Sequence, residues 1–359
     1  MERAPDVDTA PMQIIADGNN IAWAGFHSLR RATNAESPQE KVRCALLGLT
    51  QSLVGLVVRG GETPDDFLHT PSVTTNPVSG LTVVFDEGRP LRRRGLFPPY
   101  QTGRESDPSF MENEQYVLAG ISEFIGAAAY LPVTILRGVN TEADDLVAAC
   151  ALQTDNYVRI ASTDRDFLQL VDDRVTIYSP VKRLVVTPEN FEDVTAPRDS
   201  AGTPSVFPRE RYLDYRVASG DASDNLPGIP GVGALTAAKL VAKAPIDAYV
   251  GDRRLLADVL GRRNVKVEGA FASGEAKETI ERNRMLMDLR IAAGSYANLD
   301  EYRRQFTWDE RAFRSWAKDQ RIAGMDLNAA CRMFSQIAAD DRITEMLSSS
   351  QAQGKLDFS

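Results

Sequence analysis

Four short apolar runs, separated by longer stretches of mixed polarity, mark the first half of the chain. Short runs rich in Val and Ile are typical of strands that are buried on both faces of a parallel sheet. Between them, apolar residues recur with helical spacing, for example over roughly 38–58 and 112–128. This alternation predicts an α/β fold with a central, mostly parallel twisted sheet flanked by helices. The predicted strands are 12–16 (MQIIA), 81–85 (LTVVF), 132–136 (PVTIL) and 157–162 (YVRIAS).

Two segments interrupt this pattern. Residues 60–80 are rich in Gly, Pro, Ser and Thr, which predicts a surface insertion. The loop-like stretch TAPRDSAGTPSVFP precedes a helical region that begins near Arg209. We therefore expect a polar N-terminal tail, an α/β core, a helical region and a flexible C-terminal tail, with bounds at 1–12, 13–208, 209–340 and 341–359.

Carboxylates follow each predicted strand at the point where the strand ends. Because ligands of open α/β sheets bind beyond the carboxyl ends of the strands, these side chains should converge in one crevice. Seven carboxylates in one crevice would repel each other unless cations lay between them, so we expect divalent metal ions there. The seven are Asp17, Asp86, Glu142, Asp144, Asp145, Asp164 and Asp166.

The stretch GVNTEADDL (138–146) also has a simpler explanation. Thr141 and Asp144 fit a capping box at the start of a helix, and the helix dipole favours acids in a first turn. A helix N-terminus and a metal site both accept carboxylates, so the two explanations are compatible.

Composition narrows the chemistry of such a metal site. Of 359 residues, 43% are hydrophobic and 25% charged, as in ordinary soluble globular proteins. No uninterrupted apolar run approaches the roughly 20 residues of a membrane span, and the polar start MERAPDVDTAPM is unlike a signal peptide. Three widely spaced cysteines favour a cytoplasmic location, and two histidines without paired cysteines favour a hard cation held by oxygen over zinc.

Positive charge is concentrated in one segment, although the net charge of −9 argues against a nucleic-acid partner. Residues 87–104 contain five arginines and one acid, which makes this basic segment a candidate nucleic-acid contact. A run of charges can also be a solvated face. The arginines are Arg89, Arg92, Arg93, Arg94 and Arg104.

A glycine-rich stretch lies further along the chain. Asp221 and Asp224 are three residues apart, so they share one face if the segment is helical. Three glycines then precede an Ala-rich helix that carries Lys239 and Lys243. A Gly-rich hairpin that opens a helix can bind a phosphate through backbone N–H groups, although ordinary turns also use Gly. These glycines are Gly228, Gly231 and Gly233.

Five motifs occur in an order that resembles the structure-specific 5′ nuclease family. They are ADGNN, VVFDEG, TEADD, STDRDFLQLV and GDASDNLPGIPGVGALTAAKL. The family comprises flap endonucleases, bacteriophage 5′→3′ exonucleases and the exonuclease domain of bacterial DNA polymerase I. The resemblance covers about residues 13–245 and, more weakly, 281–290. It implies a PIN-like nuclease core, a helical arch over about 87–130 and a helix-hairpin-helix element.

The resemblance also implies two divalent-metal positions for phosphodiester hydrolysis. Ligands nearest the reacting phosphate correspond to Asp17, Asp86, Glu142 and Asp144. Ligands of the second position, some through water, correspond to Asp145, Asp164, Asp166, Asp221 and Asp224. Mg²⁺ is the expected ion, Mn²⁺ is a substitute, and K⁺ is a candidate at the hairpin.

Cationic roles follow from the same resemblance, with one departure. Arg104 corresponds to the arginine of the arch. Gln101 stands where the family usually has a lysine that helps to activate the scissile phosphate. Arg92, Arg93 or Arg94 could compensate as catalytic or DNA-binding cations.

Two further contacts are implied. Trp23 corresponds to an aromatic that stacks on a base near the scissile phosphate, although a core Trp on a helix would look the same. The C-terminal stretch QGKLDFS resembles the peptide by which bacterial replication proteins bind the sliding clamp, through Gln353, Leu356 and Phe358.

We therefore predict a free-standing, Mg²⁺-dependent 5′ nuclease that removes DNA flaps or RNA primers during replication in a bacterium or phage-infected cell, without membrane association. A PIN-like ribonuclease shares the strand-end acids, but the arch and the hairpin favour the DNA enzyme. The alternative from another class is a catalytically weak junction-binding protein that is recruited to a clamp. Gln101, in place of the usual lysine, would fit such weak catalysis. A haloacid-type phosphatase is disfavoured because it needs an Asp-x-Asp, whereas Asp17 is followed by Gly18 and Asn19.

Overall fold

The computed structural model describes residues 11–60, 77–261, 264–322 and 325–354, with side chains described except at 104–105 and 341–354. Seven of the described strands form one sheet in the order β6-β5-β4-β1-β2-β3-β9, and β7 pairs with β8. The strands are β1 Met12–Asp17, β2 Val78–Glu87, β3 Thr134–Val139, β4 Tyr157–Ala161, β5 Val175–Ser179, β6 Leu184–Val186, β7 Gly220–Asp221, β8 Leu226–Pro227 and β9 Arg303–Gln305.

The centre of the sheet is parallel, as the apolar runs predict. β1 lies between β2 and β4, with β3 beyond β2 and β5 beyond β4, and all of these pair in parallel. The edge strands β6 and β9 pair antiparallel. All four predicted strands are confirmed, whereas β5, β6 and β9 were not predicted.

Helices cover both faces of this sheet. Successive residues of β1 serve different cores, since Ile14 packs with α1, α2 and α4 and Ile15 packs with α5. This two-sided burial explains why the strands are continuous apolar runs. The helices are α1 Gly18–Thr33, α2 Pro38–Arg59, α3 Leu91–Leu96, α4 Pro108–Ala127, α5 Ala143–Gln153, α6 Phe191–Thr195, α7 Tyr212–Ser219, α8 Ala234–Lys243, α9 Arg253–Leu260, α10 Val265–Ser273, α11 Glu275–Met287, α12 Leu289–Ala293, α13 Glu310–Asp319 and α14 Leu327–Gly354.

The two long helices predicted from periodicity begin at polar caps. α2 begins with a capping box between Ser37 and Glu40 and ends at Gly60 in the left-handed conformation. α4 begins at Pro108, earlier than predicted, because the Asp107 side chain accepts hydrogen bonds from the first backbone N–H groups of the helix.

Helix α2 is long and apolar enough to cross a membrane by length and composition alone. The mean hydropathy of its most apolar stretch is 1.4, and 61% of that stretch is buried inside the fold. A core helix passes the same test, so this is weak evidence for a membrane span. Because polar residues such as Arg43 and Gln51 interrupt the helix, this measure does not contradict the prediction about uninterrupted apolar runs.

The boundaries of three other segments also differ from prediction. β2 begins at Val78, so the last residues of the predicted insertion belong to a strand, and residues 61–76 lie outside the described residues. α14 continues through Gly354, into the tail predicted to be flexible. Leu356 and Phe358 lie outside the described residues, as does the side chain of Gln353.

The region after residue 209 is helical, as predicted, and has its own core. The core of this region includes Val217, Leu240 and Tyr249. Asp221 and Asp224 do not share a helical face as predicted, because 220–227 is a two-stranded hairpin between α7 and α8. The left-handed conformation of Gly220, with a φ of 73°, ends α7 and starts this hairpin.

Candidate active site

The carboxyl ends of the central strands open into one cleft of about 700 Å³. β1 ends at Asp17, and β2 pairs Asp86 with Gly138 at the end of β3. The acids therefore come from the ends of four different strands, with Glu142 and Asp144 both following β3, as the sequence predicts. Five of the nine predicted metal ligands line this cleft: Asp17, Asp86, Glu142, Asp144 and Asp164.

Amide and hydroxyl side chains hold this edge of the sheet in place, and sequence reasoning missed them. The Asn19 side chain accepts a hydrogen bond from the Asp86 backbone N–H at 3.2 Å. The Ser162 hydroxyl donates to Asp17 at 2.9 Å and accepts from the Asp164 N–H at 3.0 Å. The signal was the pair of asparagines in ADGNN, since Asn20 also accepts from the backbone of Thr163 at 2.9 Å.

A buried arginine holds two of the predicted metal ligands. Arg93 is only 3% exposed and donates to both oxygens of Asp145, at 2.7 and 3.1 Å, and to Glu142. Its Nε donates to the Leu286 carbonyl at 2.8 Å. Burial lowers the pKa of Arg93, but Glu142 and Asp145 outweigh this effect and raise it well above its ordinary value. Arg93 is therefore always charged, and its prediction as a surface DNA contact is wrong.

A second buried arginine, Arg216, holds two more acids. Arg216 donates to Asp166 at 2.8 and 3.0 Å and also to Asp221. Although burial acts to raise the pKa of Asp221, hydrogen bonds from Ser223 and Arg216 lower it. Sequence reasoning missed Arg216, whose signal was a single cation five residues before Asp221. We call Asp145, Asp166 and Asp221 the arginine-bound acids.

Asp144 and Asp164, which line the cleft, have other carboxylates as their strongest charged neighbours. Burial and then the charges of Asp164, Asp17 and Glu142 raise the pKa of Asp144 well above its ordinary value. Burial and the charge of Asp166 raise the pKa of Asp164 to about 8. Burial, together with Asp145 and Asp224, raises the pKa of Glu142 to about 7, against the opposing charge of Arg93. We call Asp17, Asp86, Asp144 and Asp164 the cleft acids, and Glu142 bridges the two sets.

The chemistry of this donor set fits a hard divalent cation. All five acids in the cleft offer oxygen, and a divalent ion would relieve the carboxylate repulsion that contributes to the raised pKa values of Glu142, Asp144 and Asp164. Among the described residues, however, no three acidic, histidine or cysteine side chains are already grouped closely enough to hold an ion. Metal binding would therefore draw the carboxylates closer together than they lie here.

The start of α5 differs from the predicted capping box. Its N-cap is Glu142, not Thr141, and no side chain caps the helix by a hydrogen bond. The Thr141 hydroxyl donates to the Val139 carbonyl instead, at 3.5 Å. The predicted capping box between Thr141 and Asp144 is therefore wrong, because the helix begins one residue later. The Glu142 side chain accepts hydrogen bonds from Arg93, Tyr100 and Gln101 instead.

The other arginines of the basic segment differ in whether they line the cleft or face solvent. Arg89 and Arg94 line the cleft, and Arg89 also contacts Glu114 at 3.4 Å. Arg92 is exposed on α3. The backbone of Arg104 lies in a short 3-10 turn, and its side chain is outside the described residues.

Trp23 lies at the rim of the cleft and is already stacked. Its ring lies 5.1 Å from the ring of Phe110, at an interplanar angle of 20°, and 5.5 Å from that of His27. Phe110 belongs to α4, so this stack fixes the arch segment to α1. The structure thus gives Trp23 a packing role, and its contact with a base stays a prediction.

The three hairpin glycines have different surroundings. A Cβ on Gly228 would lie 2.4 Å from the Ser219 carbonyl, so Gly228 allows two backbones to approach. Gly231 has a φ of 85° and turns the chain. Gly233 is the N-cap of α8, has no side-chain cap, and leaves the helix N-terminus exposed beside the exposed Lys239.

Residues 12–195 match the model of the 5′-3′ exonuclease N-terminal resolvase-like domain. This match covers more than half of the chain. The chain belongs to the 5′-3′ exonuclease family. It is therefore a 5′ nuclease, and the predicted family and enzyme class are confirmed.

Curated relatives of this 5′ nuclease include bacterial DNA polymerases I. The enzyme of Mycobacterium bovis is 33% identical over 292 residues, which are 80% of this chain and 28% of that protein. The thermostable enzyme of Thermus filiformis is 26% identical over 242 residues, 66% of this chain and 24% of that protein. The chain thus spans less than a third of the length of these relatives.

Solved structures confirm the PIN-like fold. A complex of bacteriophage T5 flap endonuclease with DNA and metal ions has a TM-score of 0.54 and 18% identity, covering 89% of this chain and 99% of that chain. The T5 protein crystallised with metal ions has a TM-score of 0.52 at 18% identity, covering 87% of this chain and 99% of that chain. At this identity the likeness supports the fold alone.

Proposed function

We propose that this 5′ nuclease hydrolyses the phosphodiester bond at the base of a 5′ flap or RNA primer on duplex DNA, and that it needs two Mg²⁺ ions. The observation that carries this proposal is the convergence of five carboxylates from four strand ends in one cleft bordered by arginines. Replication is the process that produces such substrates. The family membership and the phage and bacterial relatives support the same assignment.

The cleft acids and Glu142 would hold the cations. When bound, such ions neutralise charge on the phosphate oxygens and acidify the attacking water. Arg94 and Arg89 flank the acids and would bind the phosphate and its neighbour along the strand. Hydrogen bonds of the Asn19 and Ser162 side chains would restrain Asp86, Asp17 and Asp164 while the ions draw the carboxylates together.

The exposed N-terminus of α8 would bind the backbone of the duplex. Its first N–H groups have no side-chain cap, and Lys239 lies one turn further along the helix. Backbone N–H groups and the helix dipole favour a phosphate at this position. K⁺ at the hairpin and a sliding clamp bound by Gln353, Leu356 and Phe358 stay predictions from the sequence.

Cleavage of a 5′-flapped duplex tests the proposal. We expect cutting near the flap junction with Mg²⁺, none with a chelator, and none by Asp164→Ala. Parallel substrates with a DNA flap and an RNA primer define the preferred strand. Tight binding of the flap without cutting under any divalent ion would contradict the proposal and make this chain a junction-binding protein.

A further inference from the structure

The turn at the base of the arch contacts the hairpin of the helical region by hydrogen bonds. We call residues 97–102 the arch-base turn and residues 222–225 the hairpin loop. The Gln101 backbone N–H donates to the Asp224 carbonyl at 3.0 Å. The Asn225 side chain donates to the Pro99 carbonyl at 3.0 Å and to the Thr102 hydroxyl at 3.4 Å. Two segments more than 100 residues apart in sequence are thus joined through backbone and side chain.

Apolar contacts accompany these hydrogen bonds. Tyr100 of the arch-base turn packs with Leu226, Leu286 and Met287 in a small buried cluster, and Phe97 packs against it. Buried apolar contacts therefore hold the arch-base turn directly beside the hairpin loop, whereas the hydrogen bonds of the Asn225 side chain lie at the exposed surface.

Both segments hold a non-glycine residue in the left-handed conformation at their junction. Gln101 has a φ of 56° and Asn225 a φ of 58°. Asn tolerates this conformation better than Gln, because its short side chain can hydrogen-bond to the backbone nearby. Such conformations persist where surrounding contacts over-determine them, and they concentrate at functional sites.

Gln101 connects the contact between the arch-base turn and the hairpin loop to the cleft. Its side-chain amide donates to Glu142 at 3.0 Å, and the Tyr100 hydroxyl beside it lies 3.0 Å from the same carboxylate oxygen and 3.3 Å from Asp224. The orientation of Glu142 therefore depends on where the arch-base turn lies. The position of that turn depends on the hairpin loop.

Resting on the proposed function, we propose that Gln101 and Asn225 form a latch that couples duplex binding at the hairpin to the position of Glu142. Gln101 and Asn225 are assigned as positioning residues that act through Glu142, and Gln101 does so from the lining of the cleft. A duplex bound at α8 steadies the hairpin loop, the loop steadies the arch-base turn, and the turn places Glu142 for catalysis. The latch thereby favours cutting of strands that are attached to a duplex.

Asn225→Gly tests the latch because glycine keeps the left-handed backbone and removes the two side-chain hydrogen bonds. Asn34→Gly is the matched control, since Asn34 is an exposed left-handed Asn at the end of α1, outside the arch-base turn and the hairpin loop. We expect Asn225→Gly to lower kcat on a flapped duplex by roughly tenfold, with Kd for that duplex in chelator unchanged. Asn34→Gly should leave both constants unchanged.

Hydrogen exchange of the backbone amides in residues 97–102 distinguishes the latch from a merely structural role. A merely structural role would not make this exchange depend on duplex binding. In chelator, a saturating nicked duplex should slow exchange in the wild-type arch-base turn, and Asn225→Gly should lose this protection at equal occupancy. Unchanged exchange on binding in the wild type, or equal kcat for the two Asn variants, would overturn the latch. A wild type that shows the protection but never cuts a flap would instead refute the proposed function.

Discussion

Asp144 and Asp145 are adjacent in the first turn of α5 but have opposite surroundings. Asp144 lines the cleft, where its strongest charged neighbours are other carboxylates. Asp145 is 2% exposed, and both of its carboxylate oxygens accept hydrogen bonds from one buried partner, Arg93. Successive residues of a helix point roughly 100° apart, so one turn supplies two environments. The comparison teaches that a run of acids defines a site only together with the charges that balance it.

The largest expected difference is between two single substitutions at these positions. Asp144→Asn should lower kcat on a flapped duplex by about 1000-fold, because it removes a carboxylate from the proposed metal set. The metal-free melting temperature should not fall, since a source of repulsion is also removed. Single-turnover cleavage and thermal melts in chelator measure both effects.

Asp145→Asn is the matched variant for that experiment. It leaves Arg93 with one fewer anionic partner in a buried place, so the free energy of unfolding should fall by about 3 kcal/mol. Cleavage by the folded fraction should be affected less than in Asp144→Asn. If both variants lose the same activity and the same stability, the division between the two sets of acids is wrong.

Replacing the buried cation tests the other half of the comparison. Arg93→Met should lower the free energy of unfolding by about 3 kcal/mol, because Glu142 and Asp145 keep their burial and lose their counter-charge. Its neighbour Arg92 is exposed, so Arg92→Met should change that free energy by about 0.5 kcal/mol or less. Denaturant unfolding in chelator gives the values. Equal effects at the two positions would show that the ion pairs of Arg93 contribute no stability.

The pH dependence of stability should be a smaller effect, confined to the metal-free protein. The folded-state pKa values of Glu142 and Asp164, about 7 and about 8, lie above the ordinary values of 4.5 and 3.8. The folded state therefore binds more protons than the unfolded state between these limits, and stability falls as the pH rises through them. Mg²⁺ should raise the melting temperature more at pH 8 than at pH 6, as scanning calorimetry would show. A larger gain at pH 6 would run against this account.

Most of the fold could be predicted from sequence because two-sided burial leaves a strong signal. β1 to β4 are rich in apolar residues. β1 and β2 end in acidic residues, and Glu142 and Asp164 follow β3 and β4 within three residues. β9, by contrast, is exposed along its length and consists of RRQ, so no apolar pattern marks it. The hairpin of β7 and β8 is set by tertiary contacts, in which Asn283 of α11 donates to the Pro227 carbonyl at 3.0 Å.

The candidate site could be predicted in its residue types but not in its pairings. The order of acids along the chain indicates which strand ends carry them, and that is enough to bring Asp17, Asp86, Asp144 and Asp164 into one cleft. Periodicity cannot show which cations of a basic segment turn inward. Arg92, Arg93 and Arg94 are consecutive, yet only Arg93 is buried among the acids and only Arg94 lines the cleft.

The most direct test of the central claim, that the cleft acids rather than the arginine-bound acids hold the ions, is a titration with Mn²⁺ followed by electron paramagnetic resonance. We predict that Asp144→Asn loses the tightest Mn²⁺ site of the wild type and that Asp221→Asn keeps it with unchanged affinity. Loss of that site in Asp221→Asn, with retention in Asp144→Asn, would contradict the claim.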